Sequence, residues 1–127
     1  SGMDAGKIYN SWPLMGNSYF PNDNNIINLF KFSAFSDPSL VQFIHRNLAY
    51  IIGISYLIIF YLIYKKKMYD LYKSINLLGF SIILQIILGI LTIIYGAQIY
   101  IASMHQISSI FLVSSSIYFF YLNTKTN

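Results

Sequence analysis

Three long apolar runs constrain the fold of this chain more than any other feature. They cover about residues 40–64, 74–95 and 99–122, and their only charged or histidine side chains are His45, Arg46 and His105. A helix needs ~20 mainly apolar residues to cross the hydrocarbon core of a bilayer. Hydrophobic residues make up 56% of the chain and charged residues only 9%, which excludes an ordinary soluble domain. Because unbroken helices satisfy the backbone in lipid, we predict an all-α membrane protein with three transmembrane helices.

The lysines predict how these helices are oriented. Lys65, Lys66, Lys67 and Lys73 lie in the link between the first two runs, and Lys125 follows the third, whereas residues 95–100 carry no charge. Basic residues are enriched in cytoplasmic or matrix loops, so residues 1–38 are expected on the outer side. The net charge of +4 is therefore a topology signal, and the chain lacks the basic and aromatic pattern of a nucleic-acid-binding face.

Residues 1–38 differ in composition from the rest and predict an external loop. Prolines and glycines interrupt a stretch rich in Asn, Ser and aromatic residues. Two sets of side chains suit the membrane interface: Trp12, Tyr19 and Phe20 for the headgroup belt, and Ile26, Ile27, Phe30 and Phe35 for a short interfacial helix. The alternative is a flexible tether. No signal peptide is expected, and a start without Met suggests a piece of a longer protein or a processed product.

The only two histidines, His45 and His105, lie at matching depths in the first and third runs. Each is about five or six residues from the outer end, roughly 8 to 9 Å deep at 1.5 Å per residue. The two helices run parallel, and alternate helices of an up-and-down bundle face each other diagonally across the core. A single histidine would most simply be a hydrogen-bonded core residue, but ionisable groups within spans are costly and usually functional. The pair therefore predicts two axial ligands of a haem iron.

This reading makes residues 39–127 a haem-binding region of three helices, which form most of a four-helix bundle. The ring nitrogen of each histidine that does not bind iron needs an acceptor, for which Gln42, Gln106 or a helix carbonyl is suitable. Arg46 either anchors the helix at the outer headgroups or holds a haem propionate.

The second run carries a narrow stripe of small and polar residues. Its members recur at spacings of three and four and are Ser81, Gln85, Gly89, Thr92 and Gly96. Two interpretations stay open: close packing against another helix, or lining of the cofactor pocket.

Other chemistry is largely excluded by composition. The chain has no cysteine, which removes disulfides, thiolate nucleophiles and iron–sulfur clusters. The four carboxylates are scattered over polar links, and no phosphate-binding glycine loop is present. No catalytic residue can be named from the sequence.

A series of short motifs resembles the C-terminal half of heme A synthase, from the end of its fifth span onward. The motifs, in chain order, are Asp4-Ala5-Gly6, Tyr9-Asn10-Ser11-Trp12-Pro13-Leu14-Met15, Pro21, Asn28-Leu29-Phe30, Val41-Gln42-Phe43-Ile44-His45-Arg46, Gln85 to Thr92, and His105-Gln106. The resemblance runs over nearly the whole chain and is specific in its order.

This resemblance implies a function. Members of the family oxidise a methyl group of haem O to the formyl group of haem A for cytochrome oxidase, and have eight spans in two similar halves. It implies that His45 and His105 are the ligand pair of the C-terminal half, holding a haem b cofactor, with Arg46 beside it. Substrate haem O and product haem A are expected in the N-terminal half.

The departures from the family pattern limit this reading. The chain has three spans, so the first helix of its half lies elsewhere, apart from an outer end at residues 1–6. The chain has no Glu, so the carboxylate implicated in the family's chemistry also lies elsewhere. The N-terminal half, or a separate chain, is expected to complete the bundle. The membrane is a bacterial plasma membrane or a mitochondrial inner membrane. The alternative functions are a haem-bearing anchor or electron-transfer subunit of a respiratory complex, and a structural subunit without cofactor.

Overall fold

A computed structural model of the chain describes residues 5–126, and within that range it is helical with no β-strand. Three long helices follow one another: α1 (Pro38–Lys65), α2 (Tyr72–Ile94) and α3 (Ile99–Thr126). All three are long and apolar enough to cross a membrane. Before α1, the chain forms short 3₁₀ helices at Ala5–Lys7, Ile26–Phe30 and Phe32–Ser36. A further 3₁₀ helix, Tyr69–Leu71, precedes α2. The predicted all-α membrane architecture with three spans is confirmed.

The start of α1 follows directly from its sequence. The Asp37 carboxylate accepts hydrogen bonds from the backbone amides of Ser39 and Leu40, and Pro38 occupies the first turn. A carboxylate satisfies the free amides of a first turn and interacts favourably with the helix dipole, while proline there sacrifices no intrahelical hydrogen bond. The helix therefore begins just before its first apolar turn.

The helices α2 and α3 form a tight antiparallel hairpin. Gly96 and Ala97 have positive φ angles of 61° and 56°, which turn the chain sharply between the two helices. Deeper in the hairpin, the buried Ser115 hydroxyl donates to the Ser81 hydroxyl at 3.0 Å. Small residues at this contact allow the two backbones to approach closely, as is usual for helices in lipid.

Helix α1 packs less extensively than the other two. It contacts α2 mainly through an apolar cluster at the lysine-rich end, where Ile63, Leu71 and Ile75 are buried, and its backbone scarcely approaches α3. Almost none of the most apolar stretch of α1 is covered by the described part of the chain. The helices α1 and α3 are therefore parallel and separated, and most of α1 is open to lipid or to another helix.

The outer segment differs from the single interfacial helix predicted for it. Residues 26–36 form two 3₁₀ helices, because Lys31 between them is extended, with φ −99° and ψ 147°. The rings of Tyr19 and Phe20 pack edge-on against Phe43 of α1, with centroids 5.5 and 5.1 Å away. The predicted end of a preceding span at residues 1–6 falls mostly outside the described residues, which include only Ala5 and Gly6 of it.

Candidate haem site

His45 and His105 are brought together at one level of the bundle. Their ring centroids are 6.2 Å apart, and the ring planes are inclined at 84°. His45 comes from α1 and His105 from α3, two helices whose backbones scarcely approach each other. His45 is exposed and His105 is partly buried. The two rings therefore face one space from opposite helices, although they are 60 residues apart in the chain.

The geometry of the pair fits two ligands of one iron atom. A histidine nitrogen binds a metal at about 2 Å, so imidazoles on opposite sides of one iron have ring centroids ~6.3 Å apart. The observed separation of 6.2 Å matches this value. Nδ1 of His105 is also buried without a hydrogen-bond partner. The donor set suits haem rather than a bare metal ion, because the described residues contain no cluster of three or more His, Cys, Asp or Glu side chains.

His105 is positioned by two polar residues that surround it. Nε2 of Gln85 on α2 lies 3.5 Å from Nε2 of His105, and the Ser108 hydroxyl donates to Oε1 of Gln85. The same hydroxyl also lies 2.9 Å from the carbonyl oxygen of His105. Ser108 thus holds the Gln85 amide with its nitrogen towards the imidazole. This orientation places Gln85 of α2 against one edge of the His105 ring.

Gly89 provides the space that the His105 ring needs. A Cβ atom built at this glycine would lie only 3.1 Å from Cε1 of His105. A larger residue would therefore push the ring away from α2. Three members of the stripe on α2, Ser81, Gln85 and Gly89, meet Ser115, Ser108 and His105 of α3 in turn. The stripe thus packs the hairpin and lies against one histidine, which confirms close packing; lining of the cofactor pocket stays a prediction.

Arg46 contacts the outer segment. Its side chain is 6% exposed, and its guanidinium donates to the carbonyl oxygens of Tyr9 at 3.2 Å, Leu14 at 3.2 Å and Pro13 at 3.5 Å. These contacts make Arg46 a clamp on residues 9–14, while anchoring at the headgroups and binding of a haem propionate stay predictions. Its Nε is buried without a partner.

Gln42 belongs to the same clamp and not to either histidine. Its side-chain nitrogen donates to the Tyr9 carbonyl at 3.0 Å, and its Oε1 is buried without a partner. Gln106, the other predicted partner of a histidine, is exposed on α3. Gln85 is the glutamine that the structure places beside His105.

A second contact attaches the outer segment through Asp23. The Ser39 hydroxyl donates to one Asp23 carboxylate oxygen at 2.6 Å, and the Tyr9 hydroxyl donates to the other at 2.9 Å. The bond from Ser39, followed by that from Tyr9, holds the pKa of Asp23 below its ordinary value. Desolvation, followed by the bond to Asp23, raises the pKa of Tyr9. Residues 9–23 are thereby attached to the first turn of α1, just above His45.

The position of Gln85 near His105 could have been inferred from the sequence. The turn between α2 and α3 is centred near residue 97, so a residue eight positions after it faces one eight positions before it. This register pairs His105 with Gly89 and brings Gln85 opposite Ser108. No pattern in the sequence indicates the contacts of Arg46, because its acceptors are main-chain oxygens of an irregular segment.

The comparisons with known proteins indicate a family. A family model described as cytochrome oxidase assembly protein matches residues 1–117. The heme A synthase of Pelagibacter ubique is 44% identical over 98% of this chain and 37% of its own length. Those of Rickettsia felis and Rickettsia bellii are 35% and 39% identical, over 96% and 90% of this chain and 36% and 34% of their own lengths.

The chain belongs to the heme A synthase family. It spans about a third of the length of the curated relatives it matches. No solved structure matches it. Membership in this family and the three membrane-spanning helices together make it an integral membrane protein in contact with the lipid bilayer.

Proposed function

We propose that this chain is the C-terminal, cofactor-binding part of a heme A synthase. In this proposal His45 and His105 are the axial ligands of a haem b, and the assembled protein oxidises the methyl group of haem O to the formyl group of haem A for cytochrome c oxidase assembly. The observation that carries it is the 6.2 Å separation of the two imidazole rings, which suits a shared iron atom.

The residues of this chain bind and position the cofactor. Bound between the two imidazoles, the haem would supply one-electron chemistry between its ferric and ferrous forms. His45 and His105 would supply neutral nitrogen ligands from two helices, and Gln85 with Ser108 packs beside the second of them. Arg46 holds residues 9–14 over the same end of α1 and places a positive charge beside His45. The residues that act on the substrate haem belong to the remainder of the enzyme.

The orientation in the membrane supports this assignment of parts. Positive-inside bias places the lysines at residues 65–73 on the cytoplasmic or matrix side. Residues 1–38 then form the outer loop, residues 39–127 form the haem-binding region, and a haem held there would lie near the outer leaflet of the bacterial plasma membrane or the mitochondrial inner membrane. The N-terminal half of the enzyme, or a separate chain, completes the bundle against the open face of α1.

The direct test uses the full-length enzyme, with His45→Ala and His105→Ala as separate variants. Each is expected to lose one low-spin, six-coordinate haem per protein, measured by absorption and electron paramagnetic resonance (EPR) spectroscopy with a quantified haem content. Met104→Ala is the matched control, because Met104 neighbours His105 in sequence and is exposed. An unchanged haem signal in either histidine variant would contradict the assignment of ligands.

A second measurement distinguishes the synthase from an electron-carrying anchor. Cells that lack the protein are expected to accumulate haem O and to contain no haem A. Normal haem A in such cells, together with loss of a respiratory electron-transfer step, would favour the anchor.

A further inference from the structure

The outer segment contacts the turn of the α2–α3 hairpin as well as α1. A Cβ atom built at Gly6 would lie 3.2 Å from Cβ of Ala97, and one built at Gly96 would lie 3.5 Å from Nδ2 of Asn10. Ala97 and Gly96 are the two residues that turn the chain between α2 and α3. The short helix Ala5–Lys7 also lies close to the backbones of both α1 and α2. The first part of the outer segment therefore rests on the hairpin.

The same part of the outer segment is held by α1. The Tyr9 carbonyl accepts hydrogen bonds from Nε2 of Gln42 at 3.0 Å and from the Arg46 guanidinium at 3.2 Å. Both donor side chains are buried. Further along the segment, the Leu14 carbonyl accepts a second bond from Arg46 at 3.2 Å. Residues 6–14 thus form a continuous link between the hairpin turn and α1, and we call this link the outer brace.

The outer brace lies where α1 has least support from the other helices. α1 contacts α2 mainly around Ile63, Leu71 and Ile75 at the lysine-rich end, and its backbone scarcely approaches α3. His45 lies 18 residues from Ile63, which is ~27 Å along the helix at 1.5 Å per residue. A tilt of α1 by about 10° around the apolar cluster would therefore move His45 by ~5 Å. That displacement is nearly as large as the 6.2 Å between the two imidazole centroids.

We propose that the outer brace sets the distance between α1 and α3 at the level of His45 and His105, with Gly6 as a positioning residue. The brace holds α1 through the Tyr9 carbonyl and meets the turn at Gly6, where any side chain would meet Ala97. It fixes the outer ends of the helices as the apolar cluster fixes their inner ends. The consequence for haem ligation rests on the proposed function, whereas the spacing of the helices does not.

The test measures helix spacing in the full-length protein, reconstituted in lipid nanodiscs, with and without Gly6→Val. Gadolinium spin labels on Leu48→Cys and Ile107→Cys report the distance between α1 and α3 near the histidines. Labels on Leu62→Cys and Tyr121→Cys report the distance at the inner ends and are the control. All four sites are exposed, and this chain has no cysteine of its own. Any cysteines elsewhere in the protein are replaced first, and distances are measured by double electron–electron resonance.

We expect Gly6→Val to displace the brace from the turn. The outer distance should lengthen, its distribution should become about twofold wider, and the inner distance should stay the same. Adding Ala97→Gly removes the opposing Cβ atom and should restore the outer distance. Ala97 has a φ of 56°, which glycine adopts readily, so Ala97→Gly alone should leave both distances unchanged.

Three results would overturn the proposal. They are an unchanged outer distance in Gly6→Val, an inner distance that changes as much as the outer one, and no recovery when Ala97→Gly is added. The labels measure helices and not haem, so the two proposals fail separately. Restored spacing without a low-spin haem contradicts only the proposed function, and an unchanged outer distance with a normal haem contradicts only the brace.

A disulfide covers the case in which Gly6→Val does not fold. Disulfides join Cβ atoms about 3.5 to 4.5 Å apart, close to the 3.2 Å at this contact, so Gly6→Cys with Ala97→Cys should crosslink in air. Phe32→Cys with Ala97→Cys is the control and should not crosslink, because Phe32 is 95% exposed and therefore does not pack against the turn. Mass spectrometry detects the crosslink. Its absence in the first pair, or equal crosslinking in both pairs, would overturn the proposal.

Discussion

Arg46 is a buried cation whose hydrogen bonds go to main-chain oxygens. Its guanidinium reaches the carbonyls of Tyr9, Pro13 and Leu14. A guanidinium presents several donors in a rigid fork, so one side chain can bind several carbonyls at once. This explains how a segment without long helices stays attached to α1 near His45.

Replacing Arg46 should release the outer segment. In Arg46→Gln, three carbonyls of residues 9–14 lose a charged donor, at a cost of roughly 2 kcal/mol, which corresponds to about thirtyfold faster local opening. Hydrogen exchange of the amides of residues 9–16 in the full-length protein measures this local opening. Lys31→Gln is the control, because the ammonium group of this exposed lysine donates to Asn28, so the substitution should leave residues 9–16 unchanged.

Arg46→Lys separates charge from geometry. Lysine retains the positive charge but lacks the planar fork, so we expect partial or complete loss of protection. Full protection in this variant would show that the charge alone holds the segment.

The attachment through Asp23 should depend on pH. Its pKa is lowered in the folded protein, so the bonds from Ser39 and Tyr9 contribute fully above the ordinary Asp pKa of about 4 and are lost as the pH falls through the lower folded value. A spin label at Asn17 should therefore become more mobile only in strong acid. In Asp23→Asn, the neutral acceptor forms weaker bonds, so the label at Asn17 should already be mobile at neutral pH and its mobility should not change in acid. If the mobility of the label rises already near pH 6, a titratable group other than Asp23 controls the attachment.

At the scale of elements, the hairpin of α2 and α3 determines the position of His105. Gly89 leaves room for the His105 ring, and Gln85 lies one turn away on the same face. The contact that packs the two helices therefore also positions the imidazole, which accounts for a small and polar stripe on an otherwise apolar helix.

This contact predicts different effects for two identical substitutions in α2. Gly89→Ala places a Cβ 3.1 Å from His105, so the ring must move by a few tenths of an ångström, and the EPR signal of the haem should shift or weaken. Gly79→Ala instead meets the Tyr56 hydroxyl, which bonds to the Ile75 carbonyl far from the histidines. It should reduce thermal stability and leave the haem signal unchanged. Equal spectra for the two variants would contradict a role for Gly89 in placing His105.

At the scale of the whole molecule, the described chain leaves one side of the histidine pair open. α1 is almost uncovered along its most apolar stretch, and His45 is exposed. The chain also spans only about a third of its relatives. A haem between α1 and α3 would thus have an edge towards lipid until another helix covers it.

Completion of the bundle should therefore control how firmly haem is held. The chain produced alone in membranes is expected to lose haem to an excess of apo-myoglobin at least tenfold faster than the full-length protein, and co-production with the remainder should restore retention. Haem transfer is followed by absorption. Equal rates for the chain alone and the full-length protein would show that three helices suffice.

The sequence by itself determined the three spans, the parallel course of α1 and α3 and the shared level of His45 and His105. Hydrophobic length, helical rise and loop charge decide these features, and each acts locally along the chain. Only the tertiary structure decided that Arg46 binds the outer segment and that residues 26–36 form two short helices. Those outcomes depend on the path of an irregular loop and on where it places its carbonyl oxygens, which no periodicity in the sequence encodes.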